Sequence, residues 1–213
     1  MLKNIYNNIS IIIYMNKKEF TSDWFSHNIE NFKTVEKILI PKTILEIGSY
    51  EGRSTVWFLD YFKKCSVTAI DTWKGSEEVG HEYIKEDIEK KDILWNRFLR
   101  NVAEYPDRIA IMRNTSRNAL KQLGLENKKY QLIYVDGDHH RLNCLEDLVL
   151  SFPLLELGGI VVIDDYLWGS AKEEDPNCVR GAVHMFERIY GEYIEPIFIN
   201  YQACYRKIKE LRN

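Results

Sequence analysis

The sequence carries little that would direct it to a membrane, a nucleic acid or an oxidising compartment. No run of about 18 apolar residues occurs in the 213-residue chain, so no transmembrane helix is expected. The opening stretch MLKNIYNNISIIIYMNKKEF has an apolar patch, but Asn and Tyr interrupt it. It also lacks a basic start and a small-residue cleavage site, so it does not read as a signal peptide. The formal net charge is only -3, which gives no electrostatic footprint for nucleic acid or an anionic membrane surface. Cys65, Cys144, Cys178 and Cys204 show no C-x-x-C spacing and point to neither a zinc knuckle nor a disulfide framework, so a cytoplasmic location is expected. There are no internal repeats or low-complexity tracts. Asn8-Ile9-Ser10 and Asn114-Thr115-Ser116 match the glycosylation pattern, and without a secretory signal they read as chance.

What is present suffices for one sizeable core: 45% of the residues are hydrophobic and 29% charged. The expected organisation is an N-terminal extension over 1–20 and a single domain over 21–213, with Met15 as a second candidate start. Residues 21 to 39 open on Thr-Ser-Asp, a helix cap, and carry apolar residues at helical spacing until Pro41 ends the segment. TILEIG then reads as a buried strand, RSTVWFLDYFKK as a helix and SVTAID as a second strand, and this order predicts a parallel pair with a crossover helix, hence an α/β fold. Residues 74 to 105, which include the solvated face KEDIEKKD, predict one or two surface helices. IAIM predicts a third strand, SRNALKQL a helix and YQLIYVD a fourth strand. An amphipathic helix is expected from Arg141 to Leu157, stopped by Gly158-Gly159, before IVVIDD as a fifth strand. YIEPIFI and ACYRKI are close enough to pair as an antiparallel hairpin.

Three places carry candidate chemistry. LEIGSYEGRST sets Gly48 and Gly52 in a strand-to-helix turn, where glycine permits close backbone approach to a ligand and the helix N-terminus offers free N–H groups. The nicotinamide fingerprint G-x-G-x-x-G is absent, because Ser49 and Tyr50 fill the middle and no third glycine follows. Asp71 closes the second strand, where a carboxylate can accept both hydrogen bonds of a ribose diol. YVDGDHH then gathers two aspartates and two histidines behind a buried strand, which delivers ionisable groups together at one sheet edge. Each has a plainer alternative: turn glycines without a ligand, a turn-capping aspartate, and a helix cap. Tyr166 and Trp168 follow the Asp164-Asp165 pair as an aromatic wall or as loop packing. His27, His81 and His184 read as isolated surface or core histidines.

Together ILEIGSYEGRSTVWF, VTAIDTWKGS and YQLIYVDGDHHRLNCLEDLVLSFPLLELGGIVVIDDY resemble the class I S-adenosylmethionine-dependent methyltransferases, and within them the family that includes macrolide and deoxysugar O-methyltransferases. The likeness spans nearly the whole predicted domain. It implies a Rossmann-like, doubly wound seven-stranded sheet, mostly parallel with an antiparallel last strand, in the order 3-2-1-4-5-7-6.

By the same resemblance, Glu46, Gly48, Ser49, Tyr50, Gly52, Ser54, Asp71, Ser116 and Asp136 would bind S-adenosylmethionine, with Asp71 on the ribose hydroxyls and Ser116 near the adenine. Asp136, Asp164 and Asp165 would hold a divalent cation, Mg2+, since strands four and five both end at the ligand-binding edge and hard oxygen donors would converge there. Asp138 or His139 would take the proton from the acceptor hydroxyl. The implied partner is a small hydroxylated acceptor such as a sugar, with no nucleic acid and no membrane insertion, and a homo-oligomer is left open. Residues 75 to 105 and the N-terminal region are where such enzymes differ and would supply lid and substrate contacts. Two other readings share the architecture: an NAD-dependent oxidoreductase, and a non-catalytic binding protein.

Overall fold

The structure, a computed structural model, describes residues 18–75, 92–169 and 178–212. The strands are β1 (Thr43–Ile47), β2 (Ser66–Asp71), β3 (Ile109–Arg113), β4 (Tyr130–Val135), β5 (Leu155–Ile163), β6 (Ile194–Ile199) and β7 (Ala203–Lys207). They form one sheet in the order β3-β2-β1-β4-β5-β7-β6, parallel from β3 to β5, with β7 antiparallel to both β5 and β6. The described helices are α1 (Ile29–Glu36), α2 (Arg53–Tyr61), α3 (Ile93–Val102), α4 (Ser116–Leu125), α5 (Arg141–Ser151) and α6 (Val179–Tyr190). Strand count, order and the antiparallel last strand are those expected.

Alternation along the central strands divides the core into two layers. Ile44, Leu132, Tyr134, Ile160 and Val162 face one way, against Phe32, Phe58, Leu59 and Phe98 of α1, α2 and α3. Leu45, Ile47, Ile133, Val135, Val161 and Ile163 face the other, against Leu120, Leu123, Leu148, Val183 and Phe186 of α4, α5 and α6. Helices switch from one face to the other where the chain leaves β1 toward β2 and β4 toward β5. The carboxyl ends of β1 and β4 therefore flank a crevice, the position at which open α/β sheets bind ligands.

The first helix is shorter than its apolar spacing suggests. A short 3-10 turn, Ser26–Asn28, precedes α1, and the capping contact comes from Asp23, whose carboxylate accepts the Ser26 N–H at 3.0 Å. The chain before it stays non-helical because the N–H and hydroxyl of Thr21 both donate to the buried Glu51 carboxylate. α5 also ends early, at Ser151, and Pro153 sits in the 3-10 turn that follows. Proline has no N–H to donate and turns its predecessor away from helix. Leu155, Glu156 and Leu157 consequently belong to β5 rather than to the helix. Gly158-Gly159 is not a helix stop but an irregularity inside that strand: the pairing moves from Tyr130↔Leu155 to Leu132↔Ile160. A Cβ at Gly159 would stand 2.8 Å from the Leu155 side chain. In the 74–105 region, Leu94, Phe98 and Val102 of α3 are buried, so its one described helix is a core helix. Residues 76–91 lie outside the described chain, and with them most of KEDIEKKD.

Phe32 locks α1 to the sheet. It is fully buried, with ring centroids of Phe58 at 4.9 Å and Tyr134 at 5.3 Å. Phe32→Ala is expected to lower stability by about 3–5 kcal/mol, the range for a truncated core aromatic, as measured by urea unfolding.

Candidate functional site

The turn after β1 is held by two carboxylates. Glu46 has no exposed surface, and its oxygens accept from the hydroxyls of Ser49 at 2.8 Å, Ser54 and Thr55. Burial pushes its carboxyl up to about 7; the three hydroxyl bonds pull the other way and the neighbouring Asp71 adds to the rise. Asp71, at the end of β2, accepts the backbone N–H groups of Ser49 at 3.0 Å, Tyr50 at 2.8 Å and Trp73 at 2.7 Å. Burial raises its pKa against those bonds and one from the Thr72 backbone. Ser49 is thus held twice, by side chain to Glu46 and by backbone to Asp71. Glu46 and Ser54 shape the turn from beneath, and Asp71 keeps part of its surface open at the crevice.

Packing within the protein also requires both glycines. Gly48 has φ +87°, and a Cβ there would stand 1.9 Å from the Asp136 carbonyl oxygen; Gly52 has φ +81°, and a Cβ would stand 2.9 Å from the Phe98 ring. Protein atoms occupy both approaches, so glycine is needed for the β1 turn to seat against the loop after β4 and against α3. Tyr50, also at positive φ, stacks on Trp24 at 5.2 Å. Ser116 opens α4, and its hydroxyl bonds Asp147 on α5, a carboxyl that burial raises to about 7.

Across the crevice, the loops after β4 and β5 form a second group. Among the described residues, Asp136, His139 and Asp165 each offer a ligand atom, all within 4.8 Å of one another. His139 Nε2 is 2.8 Å from Asp165 Oδ2, and Tyr201 donates its hydroxyl to Asp165 Oδ1 at 2.7 Å. Partial burial would raise Asp165, but the bonds from His139 and Tyr201 hold it below the ordinary carboxylate range. Burial pushes Asp136 well above its ordinary value, and the charges of Asp164 and Asp165 add to this.

Asp164 lies behind these three. It is buried, accepts from Asn28 Nδ2 at 2.8 and 3.1 Å and from the Asp165 N–H at 2.8 Å, and also contacts the Tyr134 hydroxyl. That same hydroxyl is 2.9 Å from Asp136 Oδ2. A phenol carries one proton and cannot donate to both carboxylates at once, so ionising both leaves a charge that the donors do not compensate, in line with the raised Asp136 pKa. A divalent cation fits this donor set.

Asp138 holds the turn that leads into α5. It accepts the His140 N–H at 2.7 Å, the His140 ring at 2.6 Å and Asn143 Nδ2 at 2.8 Å, at the start of α5. Burial works in the other direction, yet these bonds hold its carboxyl below the usual range. The Trp168 ring lies 4.6 Å from His139, and Tyr166 bonds His184 at 3.1 Å. His27, which reads in the sequence as an isolated histidine, packs edge-on against Tyr201 at 5.1 Å and contributes to the field at Asp165. Asn28, Tyr134 and Tyr201 give no local signal in the sequence, because each reaches the cluster through tertiary packing. His81 lies outside the described residues.

A family model described as a methyltransferase domain matches residues 45–166, and the chain belongs to that family. The strand order is that of the class I S-adenosylmethionine-dependent methyltransferases. No curated protein matches the sequence. Among solved structures, an O-methyltransferase from Bacillus cereus in complex with S-adenosylhomocysteine is similar, at 18% identity and TM-score 0.58 over 95% of this chain and 88% of that one. The S-adenosylhomocysteine-bound methyltransferase PaMTH1 of Podospora anserina gives 17% and 0.59 over 89% and 80%. MycE of the mycinamycin biosynthetic pathway, in complex with Mg, S-adenosylhomocysteine and mycinamycin VI, gives 15% and 0.58 over 92% and 52%. At these identities the likeness is one of fold.

The turn carboxylate sets a pH dependence. Because the Glu46 carboxyl is raised to about 7 from an ordinary 4.5, the folded state binds more protons than the unfolded state between those values. Its contribution to stability is complete below the lower value and is lost as pH rises through the upper one. Stability is therefore expected to fall from about pH 5 to about pH 8, on the order of 1 kcal/mol per pH unit for such a group. Glu46→Gln, which cannot ionise, should flatten that slope in urea unfolding.

Proposed function

We propose that the protein is an S-adenosylmethionine-dependent O-methyltransferase, acting with a divalent cation on a hydroxyl of a sugar or another small hydroxylated molecule. The observation that carries this reading is the pairing across one crevice of a carboxylate-pinned glycine turn with an under-compensated Asp-His-Asp cluster. Membership of the methyltransferase-domain family supports the methyl-transfer half. The cation half is supported by the charge surplus at Tyr134, and the fold likeness to an enzyme crystallised with Mg agrees with it.

In this reading the domain over 21–213 divides its labour between the two sides of the crevice. Asp71, with its open edge, takes the ribose hydroxyls, and Tyr50 and the Ser49 backbone border the methionine portion. Glu46 and Ser54 act indirectly, by fixing the turn, and Ser116 with Asp147 forms the floor toward the adenine. Asp136 and Asp165 would hold the cation, which when bound would orient vicinal hydroxyls and lower the pKa of the one to be methylated. The acceptor hydroxyl gives its proton to Asp138 or His139 as its oxygen attacks the methyl carbon, the carbon–sulfur bond breaks and its electron pair stays on sulfur. Positioning supplies most of the acceleration in such a displacement. Trp168, beside His139, offers an apolar wall to the acceptor ring.

Titration calorimetry with S-adenosylhomocysteine tests the reading directly, with NADH as the competing ligand class. Binding of S-adenosylhomocysteine and not of NADH is expected. Asp71→Ala and the milder Asp71→Asn should each weaken it, Ala by about tenfold or more, which corresponds to about 1.4 kcal/mol. Absence of binding with and without a divalent cation would overturn the function.

A further inference from the structure

We infer that Glu51 is a positioning residue: its buried side chain keys the strap formed by residues 18–26 to the turn after β1, so that cofactor binding at the turn and closure of the strap reinforce each other. The inference rests on the reading of that turn as the S-adenosylmethionine site, and it adds a residue that no motif singles out.

Residues 18–25 belong to no helix or strand. Their backbone groups find no ladder, so side chains take that place. The Glu19 N–H donates to Asn101 Oδ1 at 2.7 Å, and Asn101 Nδ2 donates to the Glu19 carbonyl at 2.8 Å. The Thr21 N–H donates to Glu51 Oε2 at 2.6 Å, and the Thr21 hydroxyl donates to Glu51 Oε1. A segment held by a few side-chain bonds opens at far lower cost than a strand inside a sheet.

Both of these holding groups lead to one residue of the turn. Glu51 stands between Tyr50 and Gly52, and Asn101 Nδ2 also donates to the Glu51 carbonyl at 2.8 Å. Asn101 is fully buried and Glu51 is 2% exposed. Among the described residues the Glu51 carboxylate has three donors, two from Thr21 and one from Arg97 of α3. Lifting the strap would leave a buried carboxylate with Arg97 alone, a penalty on the open state.

The strap also lies on Tyr50. The Trp24 ring stacks on it at 5.2 Å, while Asp23 pairs with Arg53 of α2 at 2.6 Å. Tyr50 is at φ +45°, with its N–H held by Asp71 and its carbonyl by the Trp73 indole, each at 2.8 Å. The turn that borders the cofactor in the proposed reading thus carries the strap on its outer side. A ligand that fixes the turn fixes Glu51, and through it the strap. By linkage, closure of the strap raises affinity for that ligand by the same factor. A closed strap chiefly hinders departure, so the coupling belongs in the dissociation rate.

The test uses the full chain and two variants. Thr21→Val removes one hydroxyl donor at an exposed position, and Glu51→Gln removes the carboxylate charge. Hydrogen exchange followed by mass spectrometry reads opening of the strap without any ligand. Exchange over residues 18–26 is expected to be about fivefold faster in Thr21→Val and about tenfold or more faster in Glu51→Gln, with β4 and β5 unchanged. Strap exchange at the wild-type rate in both variants overturns the inference. Thermal melts confirm that each variant is folded, and Thr21→Val decides where Glu51→Gln does not fold.

S-adenosylhomocysteine then reads the coupling. It should slow strap exchange in the wild type by about fivefold or more, and stopped-flow should show it leaving Thr21→Val about fivefold faster with little change in association rate. A role confined to stability would not single out the dissociation rate. S-adenosylhomocysteine that binds without slowing strap exchange, or that leaves Thr21→Val at the wild-type rate, overturns the coupling. Its failure to bind at all overturns the function proposed above, while the ligand-free exchange still decides whether Glu51 holds the strap, so the two failures are distinguishable.

Discussion

The contact on which the site depends is backbone against backbone: the Cα of Gly48 lies against the Asp136 carbonyl, with no room for a side chain between them. β1 and β4 are neighbours in the sheet, and their ladder continues past the strand ends through the Asp136 N–H to the Ile47 carbonyl at 2.8 Å. The turn after β1 can therefore leave the sheet only by passing directly over the loop after β4, and glycine alone permits that passage. Everything chemically active follows from this interlock. The turn that Asp71 and Glu46 pin, and the loop that delivers Asp136 and His139, are fixed relative to each other before any ligand arrives.

Carboxylates are used here in two electrostatic regimes. Glu46, Asp71 and Asp138 are surrounded by hydroxyl or N–H donors aimed at them, so each stabilises a local turn. Asp136 and Asp165 have few donors, and Asp136 competes with Asp164 for the one proton of Tyr134 while the three carboxylates repel one another. A protein tolerates such a surplus where a cation or a substrate later supplies the missing positive charge. The same side-chain chemistry is thus structural on one side of the crevice and crowded with like charge on the other, and the closeness of further carboxylates makes the difference.

Much of the fold is legible in the sequence because its signals are local. TILEIG, SVTAID and YQLIYVD are short apolar runs bounded by polar or turn residues, and helical periods between them leave a parallel sheet as the consistent solution. Boundaries failed where a tertiary contact outweighed the local pattern. Thr21 reads as part of a helix, but its bonds to Glu51 hold the chain non-helical. Leu155 to Leu157 continue the apolar period of α5, but Pro153 has already ended it and β4 offers an open edge. The site divides in the same way. Asp71, Asp136, His139 and Asp165 are visible because each follows a strand, and strand ends share one edge. Asn28 contacts Asp164 across 136 positions of sequence and Tyr201 reaches Asp165 across 36, and no spacing rule encodes either contact.

Those long-range contacts explain why the segment before α1 matters to the cluster and is more than a wrapping of the core. Lys18, Glu19 and Thr21 tie it to α2, α3 and Glu51, Phe25 enters the layer around Phe32 and Tyr134, and Asn28 then arrives at Asp164. Tyr134 is itself in that aromatic layer, with Phe32 and Phe58 against its ring and two carboxylates at its hydroxyl. The packing of α1 and the position of the one proton shared in the cluster are therefore set by the same ring. A change that loosens Phe32 or Phe25 would act on the cluster through Tyr134 and Asn28 without touching a ligand atom. The hydrophobic layer on this face of the sheet consequently orients the acid cluster as well as stabilising the fold.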